Sequence, residues 1–445
     1  MDVLQLNWFS AVDAARAIRD GEIGLEQLVE ACLARVREME PAVQAWAFLD
    51  PEHALAQART FDEQRREGRP LGPLHGVPVG VKDIFDTADM PTEDGTVLHA
   101  GRTPAWDAAA VARLRAAGAV IMGKTVTTEL ATYAPGKTRN PHNTEHTPGG
   151  SSSGSAAAVA CGMVPVALGS QTNGSVIRPA SYCGVYGFKP THGLISRHGV
   201  LKLSRTLDHV GVFARTIEDI ALACEELVGF DERDPDTRMR ARTPFLRITA
   251  EEPPVPPRFA FVKTPLWDRT EPDTREAFGE LVAQLGDRVE EFVLPESARE
   301  ALEWHRTIME AEMAASLVVE YEKGRDKLSD SLRAQLERGR KHTAFDYQAA
   351  LARIPLLIEG FAELFERYDA IVTPATAGTA PQGLASTGDP AFCTLWTLCG
   401  MPALSLPLMQ GANGLPLGLQ LIGPRHDDAR LLRTARWLAT RVEAS

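Results

Sequence analysis

Cysteine is scarce in this sequence, and its spacing does not suggest a crosslinked or metal-bound scaffold. The six cysteines among 445 residues are widely scattered, and no Cys-x-x-Cys pair occurs. Disulfide frameworks and structural zinc sites both rely on clustered cysteines at short, regular spacings. We therefore expect neither a disulfide framework nor a metal site.

Long apolar runs are also missing. No segment approaches the ~18 consecutive apolar residues that a membrane-spanning helix needs. The first residues also lack the basic region followed by an apolar one that directs export. The sequence therefore predicts a cytoplasmic protein with no membrane partner.

Positive charge is in deficit. Asp and Glu number 59 against 47 Lys and Arg, which gives a formal net charge of −12. A field of this sign repels polyanions, so we do not expect nucleic acid as a partner. The net charge does not indicate which reaction the protein catalyses, so the chemistry has to be argued from particular residues.

Internal repeats are absent as well, and helix and strand patterns alternate along the whole chain. Apolar residues make up 44% of the sequence, enough for one large core. Alternation of this kind is typical of an α/β fold with a parallel or mixed sheet. We predict a single domain over 1–445, in which 1–68 forms a helical layer, 71–230 the core that carries the chemistry, 235–257 a proline-rich surface loop and 258–445 the remainder.

Apolar periodicity and turn residues predict the individual elements. Helices are expected at 10–39 (a pair divided at Gly21), 51–68, 107–117, 152–160, 216–228, 273–285, 298–318, 326–340 and 345–368. Strands are expected at 79–84, 119–122, 164–168, 259–262, 370–373 and 404–406.

The segment 118–125, GAVIMGKT, matches the phosphate-loop pattern GxxxxGK[ST] letter for letter. That motif binds nucleotides only where a strand precedes it and a flexible loop lies within it. Here a predicted helix precedes Gly118, and the predicted strand occupies the variable positions. We expect Gly118 to end the helix and the chain to bind neither ATP nor GTP.

Two glycine-flanked serines mark the segment 148–191, PGGSSSGSAAAVACGMVPVALGSQTNGSVIRPASYCGVYGFKPT. Ser151 and Ser175 lie 24 residues apart, with a small-residue helix pattern and a strand pattern between them. The chain can therefore turn back and bring the two serines together. The flanking glycines allow close backbone approach and let amide groups converge on one point. The segment predicts a functional site.

This segment, together with GVPVGVKD at 76–83, resembles the amidase signature family, and weaker similarity runs from 10–36 to 414–423. The family consists of serine hydrolases that cleave amides with a Ser-Ser-Lys triad, one serine of which follows a cis peptide. The resemblance implies a single large α/β domain whose mixed, mostly parallel twisted sheet is covered by helices on both faces.

The resemblance also assigns roles within the site. Ser175 is expected to be the nucleophile, Ser151 the bridging serine after a cis Gly150–Ser151 peptide, and Lys82 the base. Ser152 is expected to support the relay by hydrogen bonding, and Ser153 and Ser155 to satisfy backbone groups. The oxyanion hole is expected to use backbone N–H groups of Thr172, Asn173, Gly174 and Ser175.

Residue chemistry agrees with a lysine base. None of the eleven histidines lies in a Gly-x-Ser-x-Gly signature. Lys82 can act as a base if it is neutral, and burial among Val79, Val81 and Ile84 would lower its pKa. The competing interpretation is a surface lysine paired with Asp83.

The sequence departs from the family pattern near the nucleophile. Many members have Asp and Gly where this chain has Gln171 and Asn173, and one residue fewer before the arginine that is Arg178 here. Arg178 would either bind a substrate carboxylate or pair internally with an acid such as Asp208. We favour the internal pair.

Substrate-binding residues are harder to assign. Tyr133, Gly136 and Arg178 are candidates, and the segments 133–136, 304–313 and 392–399 offer side chains for a pocket, although core packing is the more common role. An apolar pocket would suit aryl or acyl amides, and the same site could attack an ester or a carbamate.

We predict an amidohydrolase that cleaves a small-molecule carboxylic amide through an acyl-serine intermediate, without a cofactor; a homodimer is compatible with the sequence. The first alternative is a glutaminase-like amidotransferase subunit that needs partner chains. The second is a non-catalytic binding protein on the same scaffold, which the three filled catalytic positions disfavour.

Overall fold

A computed structural model describes residues 3–443. The sixteen helices within this range are α1 (Ala11–Arg19), α2 (Leu25–Val43), α3 (Pro51–Arg66), α4 (Ala109–Ala116), α5 (Ser153–Ala160), α6 (Ile177–Cys183), α7 (Ile217–Leu227), α8 (Phe245–Ala250), α9 (Pro272–Leu285), α10 (Glu300–Ser316), α11 (Val318–Gly324), α12 (Asp330–Gly339), α13 (Ala344–Leu351), α14 (Arg353–Phe365), α15 (Ala391–Leu398) and α16 (Asp428–Glu443). Short 3₁₀ turns join several of them.

Eleven strands form one sheet in the order β1-β3-β2-β4-β6-β5-β10-β11-β9-β7-β8. They are β1 (Trp46–Leu49), β2 (Pro78–Lys82), β3 (Val120–Thr125), β4 (Val166–Gln171), β5 (Tyr186–Lys189), β6 (His209–Ala214), β7 (Phe259–Lys263), β8 (Val289–Val293), β9 (Ala370–Pro374), β10 (Ala403–Gln410) and β11 (Pro416–Ile422).

Helices cover both faces of this sheet, as predicted. Successive side chains of a strand point to opposite faces. Along β3, Ile121 belongs to one large apolar cluster, whereas Val120 and Met122 belong to a second. The sheet is therefore the middle layer of a single α/β domain.

The sheet is mixed, but parallel pairs are not the majority. Four of the ten neighbouring pairs are parallel, and the other six are antiparallel. The connection between β10 and β11 is too short for a crossover, so that pair is necessarily antiparallel. The expected predominance of parallel strands is corrected accordingly.

Most predicted elements are present, with two informative differences. The predicted helix at 345–368 is divided at Ala352, three residues before Pro355, because proline lacks the backbone donor of a helix interior and is tolerated near a helix start. The N-terminal layer also contains a strand, β1, in addition to its predicted helices.

The proline-rich stretch at 235–257 is only partly a surface loop. It contains α8, whose Phe245 and Thr249 side chains are buried where the helix packs against α7 and α16. The prolines on either side limit this helix to six residues. Composition alone therefore overestimated the exposure of this stretch.

The phosphate-loop match is excluded by the placement of its lysine. Gly118 ends the turn after α4 at φ +89°, and β3 occupies the variable positions, as predicted. Lys124 is fully buried, donates a hydrogen bond to Phe85 O at 2.9 Å and forms an ion pair with Asp83 at 3.3 Å. A lysine committed in this way cannot hold a phosphate.

Within residues 3–443, no helix combines the length and apolar character needed to cross a bilayer.

The buried pair gives a test of the fold. Lys124→Met should lower the free energy of unfolding by about 3–5 kcal/mol, because it leaves Asp83 as an uncompensated buried carboxylate. The measurement is urea denaturation followed by circular dichroism. Arg333→Met is the matched control, since its partner Asp330 is 94% exposed, and it should leave the midpoint unchanged. Equal midpoints for the two variants would contradict the account.

Candidate active site

Two adjacent parallel strands bring the candidate base to the site. Lys82 is the last residue of β2, and Ser170 lies at the same end of the neighbouring β4. The register that pairs Val81 with Leu168 sets these two ends side by side. The carboxyl ends of parallel strands are where α/β proteins commonly place ligands.

Among residues 3–443, Lys82 donates hydrogen bonds to two hydroxyl groups and forms no ion pair with a carboxylate. Its Nζ donates to Ser151 Oγ and to Ser170 Oγ, each at 2.7 Å, and its side chain is completely buried. Burial lowers the pKa of Lys82 well below its usual value, and the charge of Asp208 offsets this only in part. The surface pairing of Lys82 with Asp83 is therefore excluded, since Asp83 binds Lys124 instead.

Ser151, the predicted bridging serine, lies in a tightly packed turn. The Gly150–Ser151 peptide is cis, as the resemblance implied. The turn leads into α5, where a Cβ on Gly154 would lie 2.2 Å from Ala45 O and 2.3 Å from Val126 N. Only glycine permits this approach of α5 to the sheet.

The neighbouring serines have separate structural roles. Ser152 Oγ donates to Ser170 O and accepts from Ser170 N, both at 3.2 Å, so it supports the second hydroxyl bound to Lys82. Ser153 and Ser155 donate to Val126 O and Leu168 O, respectively, which confirms that they satisfy backbone groups.

The loop between β4 and α6 presents free amide donors. The backbone N–H groups of 172–175 have no hydrogen-bond partner within the part of the chain that the structure describes, whereas the next two, of Val176 and Ile177, donate to Gln171 Oε1 at 2.8 and 3.0 Å. Ser175 is 9% exposed, while Lys82 and Ser151 are at most 1% exposed. The loop therefore offers a reachable hydroxyl next to unpaired donors, the arrangement that an oxyanion hole requires.

Gln171 explains why this chain tolerates its departure from the family pattern. One amide oxygen accepts both N–H groups at the start of α6, and the amide nitrogen donates to Thr397 Oγ1 at 2.9 Å. A carboxylate could accept the same two bonds but could not donate the third. The neutral side chain thus ties the loop to α15.

Side chains from several elements fix the same loop. Thr172 Oγ1 donates to Asp208 Oδ1 at 2.7 Å, and His305 Nε2 bonds Thr172 O at 2.9 Å. Burial lowers the pKa of His305 to about 4, so the ring is neutral and donates. Asn173 accepts from Thr397 Oγ1 at its carbonyl and from Thr394 Oγ1 at its side chain, at 2.6 and 2.7 Å.

Asp208 does not pair with Arg178, which overturns the favoured interpretation. Its second carboxylate oxygen accepts the backbone N–H groups of Leu203 and Ser204, each at 2.9 Å. Arg178 instead donates from Nη2 to Gly150 O at 2.7 Å and to Thr387 Oγ1 at 3.1 Å. Backbone donors satisfy the acid, so it needs no arginine.

Of the two remaining substrate-binding candidates, one contacts the site and the other does not. Tyr133 reaches the site, because its hydroxyl accepts from Asn173 Nδ2 at 3.2 Å. Gly136 packs its backbone against the end of β3, where a Cβ would lie 2.8 Å from Thr127 O, and no hydrogen bond described here connects it to the triad.

Two cavities lie near these residues. One of about 250 Å³ is lined by Ser170, Thr172 and Asp208 together with the segment 197–205. A wider apolar groove of about 540 Å³ is lined by Trp304 and Leu395, which belong to segments expected to contribute a pocket. Trp304 precedes His305, and Leu395 follows Thr394, so the groove borders the elements that contact the loop 172–175.

Sequence reasoning missed Ser170, His305, Thr394 and Thr397. Ser170 had a usable signal, since it lies two residues after the predicted strand 164–168 and five residues before Ser175. The other three come from α10 and α15, which lie more than 100 residues away in the sequence.

The sequence matches a known protein family and curated relatives over most of its length. The family model described as Amidase matches residues 27–432. A glutamyl-tRNA(Gln) amidotransferase subunit of Symbiobacterium thermophilum is 35% identical over 97% of this chain and 96% of its own length.

Solved structures agree at the level of the backbone. The structure of a vestigial protein complex bearing on the origins of an s-triazine catabolic enzyme matches with TM-score 0.90 and 28% identity over 97% of this chain and 98% of that one. The peptide amidase of Stenotrophomonas maltophilia matches with TM-score 0.84 and 29% identity over 98% and 97%, respectively.

The burial of Lys82 predicts a pH signature in stability. A lysine whose pKa is depressed in the folded state releases its proton on folding, so the wild type should gain stability as pH rises toward the unfolded value of 10.5. Lys82→Met lacks this linkage. The unfolding free energy of Lys82→Met minus that of the wild type should therefore decrease as the pH is raised from 7 to 9. Urea titrations measure both values.

Lys202→Met is the control, since Lys202 is exposed, and its stability should follow the wild-type pH dependence. Parallel curves for wild type and Lys82→Met would show that Lys82 keeps its charge in the folded protein.

Proposed function

This chain belongs to the amidase family, and from that premise we propose that it hydrolyses the C–N bond of a small carboxylic amide through an acyl-Ser175 intermediate. The observation that carries the proposal is the uncharged environment of Lys82, 2.7 Å from Ser151, beside a loop of unpaired N–H groups. An amide needs a nucleophile, a proton relay and oxyanion donors, and each has a residue here.

The first half of the reaction transfers two protons along the relay, so that Lys82 gains one, and it forms one bond. Neutral Lys82 takes the hydroxyl proton of Ser151, which takes that of Ser175 as Ser175 Oγ bonds to the amide carbon. The carbonyl electrons move to oxygen, where the N–H groups of 172–175 stabilise the charge. Loss of one such donor typically costs ~3–4 kcal/mol of transition-state stabilisation.

The second half returns the proton. Ser151 donates to the leaving nitrogen and recovers a proton from Lys82, the C–N bond breaks, and the acyl group remains on Ser175. Water then replaces the amine, gives one proton to the same relay and bonds to the acyl carbon. The bond between that carbon and Ser175 Oγ breaks, the relay returns the proton to Ser175 Oγ, and the acid is released. The protein supplies every proton transfer, so the relay ends in its starting state.

Substitution of the relay tests this proposal. Ser175→Ala should lower kcat/KM by about 10⁴-fold or more, with Lys82→Ala and Ser151→Ala close behind, because members of a relay act as a unit. The measurement is ammonia release from a panel of simple amides, supported by mass spectrometry of fluorophosphonate labelling at Ser175.

Ser153→Ala provides the matched control, and it should retain near wild-type rates. Among the described residues, the one hydrogen bond that this hydroxyl donates is to Val126 O. Lys82→Ala protein with wild-type rates would rule out the relay.

A second candidate is a glutaminase-like subunit that works with partner chains. The names of the curated relatives favour it, since they are subunits of an amidotransferase and are 35% identical over nearly the whole chain. The same acyl-enzyme chemistry would then release ammonia from glutamine for a partner to use.

Purified protein distinguishes the two candidates. Robust turnover of amides by the chain alone, at a single elution volume in gel filtration, supports the stand-alone hydrolase. Fluorophosphonate labelling without turnover, followed by activation on addition of a co-purified partner, supports the second candidate.

A further inference from the structure

A tyrosine and an asparagine side chain meet beside the loop 172–175, and each keeps one hydrogen that has no acceptor. Asn173 Nδ2 donates to the Tyr133 hydroxyl at 3.2 Å, and Asn173 Oδ1 accepts from Thr394 Oγ1 at 2.7 Å. An amide nitrogen carries two hydrogens, and a neutral tyrosine hydroxyl carries one. Among residues 3–443, the Tyr133 hydroxyl donates no hydrogen bond, and Asn173 Nδ2 donates a single one. Two donors are therefore free for a ligand.

Both donors are fixed in position and remain reachable, since each of the two residues is only half-buried. Burial raises the pKa of Tyr133, so its hydroxyl keeps its proton at neutral pH. Helix α15 holds the asparagine at two points, because Thr397 Oγ1 donates to its carbonyl and Thr394 Oγ1 to its side chain. A donor that is already fixed loses little freedom when a ligand accepts from it.

A strained turn holds Tyr133 against the site. Leu130 and Ala131 lie in the left-handed region at φ 44° and 56°, a conformation that residues other than glycine rarely adopt. Hydrogen bonds within the segment 128–134 hold this turn, and the backbone N–H of its first residue donates to Ser151 O at 3.3 Å. Strained backbone persists where its surroundings enforce it, and it is typical of ligand-binding sites. One rigid segment thus connects Ser151 to Tyr133.

The asparagine is a feature of this chain rather than of the shared machinery. Many members of the family have glycine at the position of Asn173. A glycine there would supply no Nδ2 donor and no side-chain partner for Tyr133. The pair therefore belongs to the features by which this chain differs from those relatives, where specificity is expected to reside.

Local charges favour an uncharged ligand group at this pair, because both donors are neutral dipoles. Apart from burial, the effects on the pKa of Tyr133 oppose one another, since the charge of Arg178 lowers it and the charges of Asp389 and Glu310 raise it. A carboxylate bound here would have to approach these two acids. A neutral carbonyl oxygen has two lone pairs and accepts both hydrogens without that repulsion.

We propose that the Tyr133 hydroxyl and the Asn173 side-chain amide bind a second, neutral carbonyl oxygen of the substrate and thereby determine specificity. The preferred substrates are then small carboxylic amides that carry a ketone, ester or further amide oxygen near the amide that is cleaved. The inference rests on the proposed hydrolysis at Ser175. It disfavours glutamine, whose oxygens outside the side-chain amide belong to a carboxylate.

The test compares primary amides of matched shape that differ in one acceptor. Wild-type kcat/KM is measured by ammonia release for N,N-dimethylsuccinamide, which adds an acceptor without a donor, and for its apolar isostere 5-methylhexanamide. The corresponding malonamide and glutaramide pairs vary the spacing, and succinamate and glutamine supply the charged arms. In at least one pair, the member with the second carbonyl should be preferred by about 10-fold, which two ordinary hydrogen bonds provide.

Variants of the pair separate recognition from structure. Tyr133→Phe and Asn173→Gly should each bring the ratio between the two members of the preferred pair towards one. Loosening of the loop would slow all amides alike, so this ratio is the diagnostic quantity. Tyr368→Phe is the matched control, since its hydroxyl bonds Glu290 on β8 at the far edge of the sheet, and it should leave the ratio unchanged.

A binding measurement covers variants that do not fold. The members of each pair are titrated into Ser175→Ala protein and followed by ligand-observed NMR, and the member with the second carbonyl should bind about 10-fold more tightly in the preferred pair. Equal values within all three pairs, a stronger preference for succinamate or glutamine, or an unchanged ratio in both variants would overturn the inference. Absence of both turnover and fluorophosphonate labelling would instead refute the proposed function, and the NMR titrations would still decide whether the pair binds a neutral carbonyl.

Discussion

An amine sealed from water between two hydroxyl groups is the constraint on which the site depends. Water would keep Lys82 protonated, and a nearby carboxylate would do the same. The structure prevents both. Strand β2 lies inside the sheet between β3 and β4, and Asp83 forms its ion pair with Lys124. Within the part of the chain that the structure describes, the Ser151 and Ser170 hydroxyls are the only hydrogen-bond partners of Lys82.

Two neighbouring lysines show how strongly the local partners decide the outcome. Lys82 ends β2 and Lys124 lies near the end of β3, and both are completely buried. Lys124 has Asp83, so burial lowers its pKa while that carboxylate raises it again. Burial also lowers the pKa of Lys82, and the more distant charge of Asp208 offsets that lowering only in part. Equal burial therefore gives one structural cation and one candidate base.

Much of this arrangement follows from local sequence. The Gly-Ser clusters, the apolar strand before Lys82 and the small-residue helix after Ser151 are local signals, and they predicted the elements that carry the site. The pairing of Lys82 with Ser151 was implied by the family resemblance. The helical start of the chain and the position of Gly118 were predictable for the same reason. The antiparallel strand pairs of the sheet and the burial of Phe245 were not predictable, because they depend on contacts between segments that are far apart in the sequence.

The loop 172–175, the candidate oxyanion hole, shows what could not be predicted from local sequence. Its free amides were expected from the glycine and serine pattern, but their rigidity comes from Asp208, His305, Thr394 and Thr397, which belong to other elements. No spacing rule connects these residues to the loop. Preorganised donors stabilise a transition state only when they do not relax towards other acceptors, so these distant contacts are as necessary as the loop itself.

Arg178 extends this argument to the two serines. It lies in the first turn of α6, three residues after Ser175, and its Nη2 donates to Gly150 O, the carbonyl of the residue before Ser151. The same nitrogen donates to Thr387 Oγ1, a residue that is distant in the sequence. One buried side chain therefore joins the start of α6 to the turn before α5. The placement of Ser151 relative to Ser175 depends on this contact, although it involves neither hydroxyl, because catalytic groups act only when their relative positions are maintained.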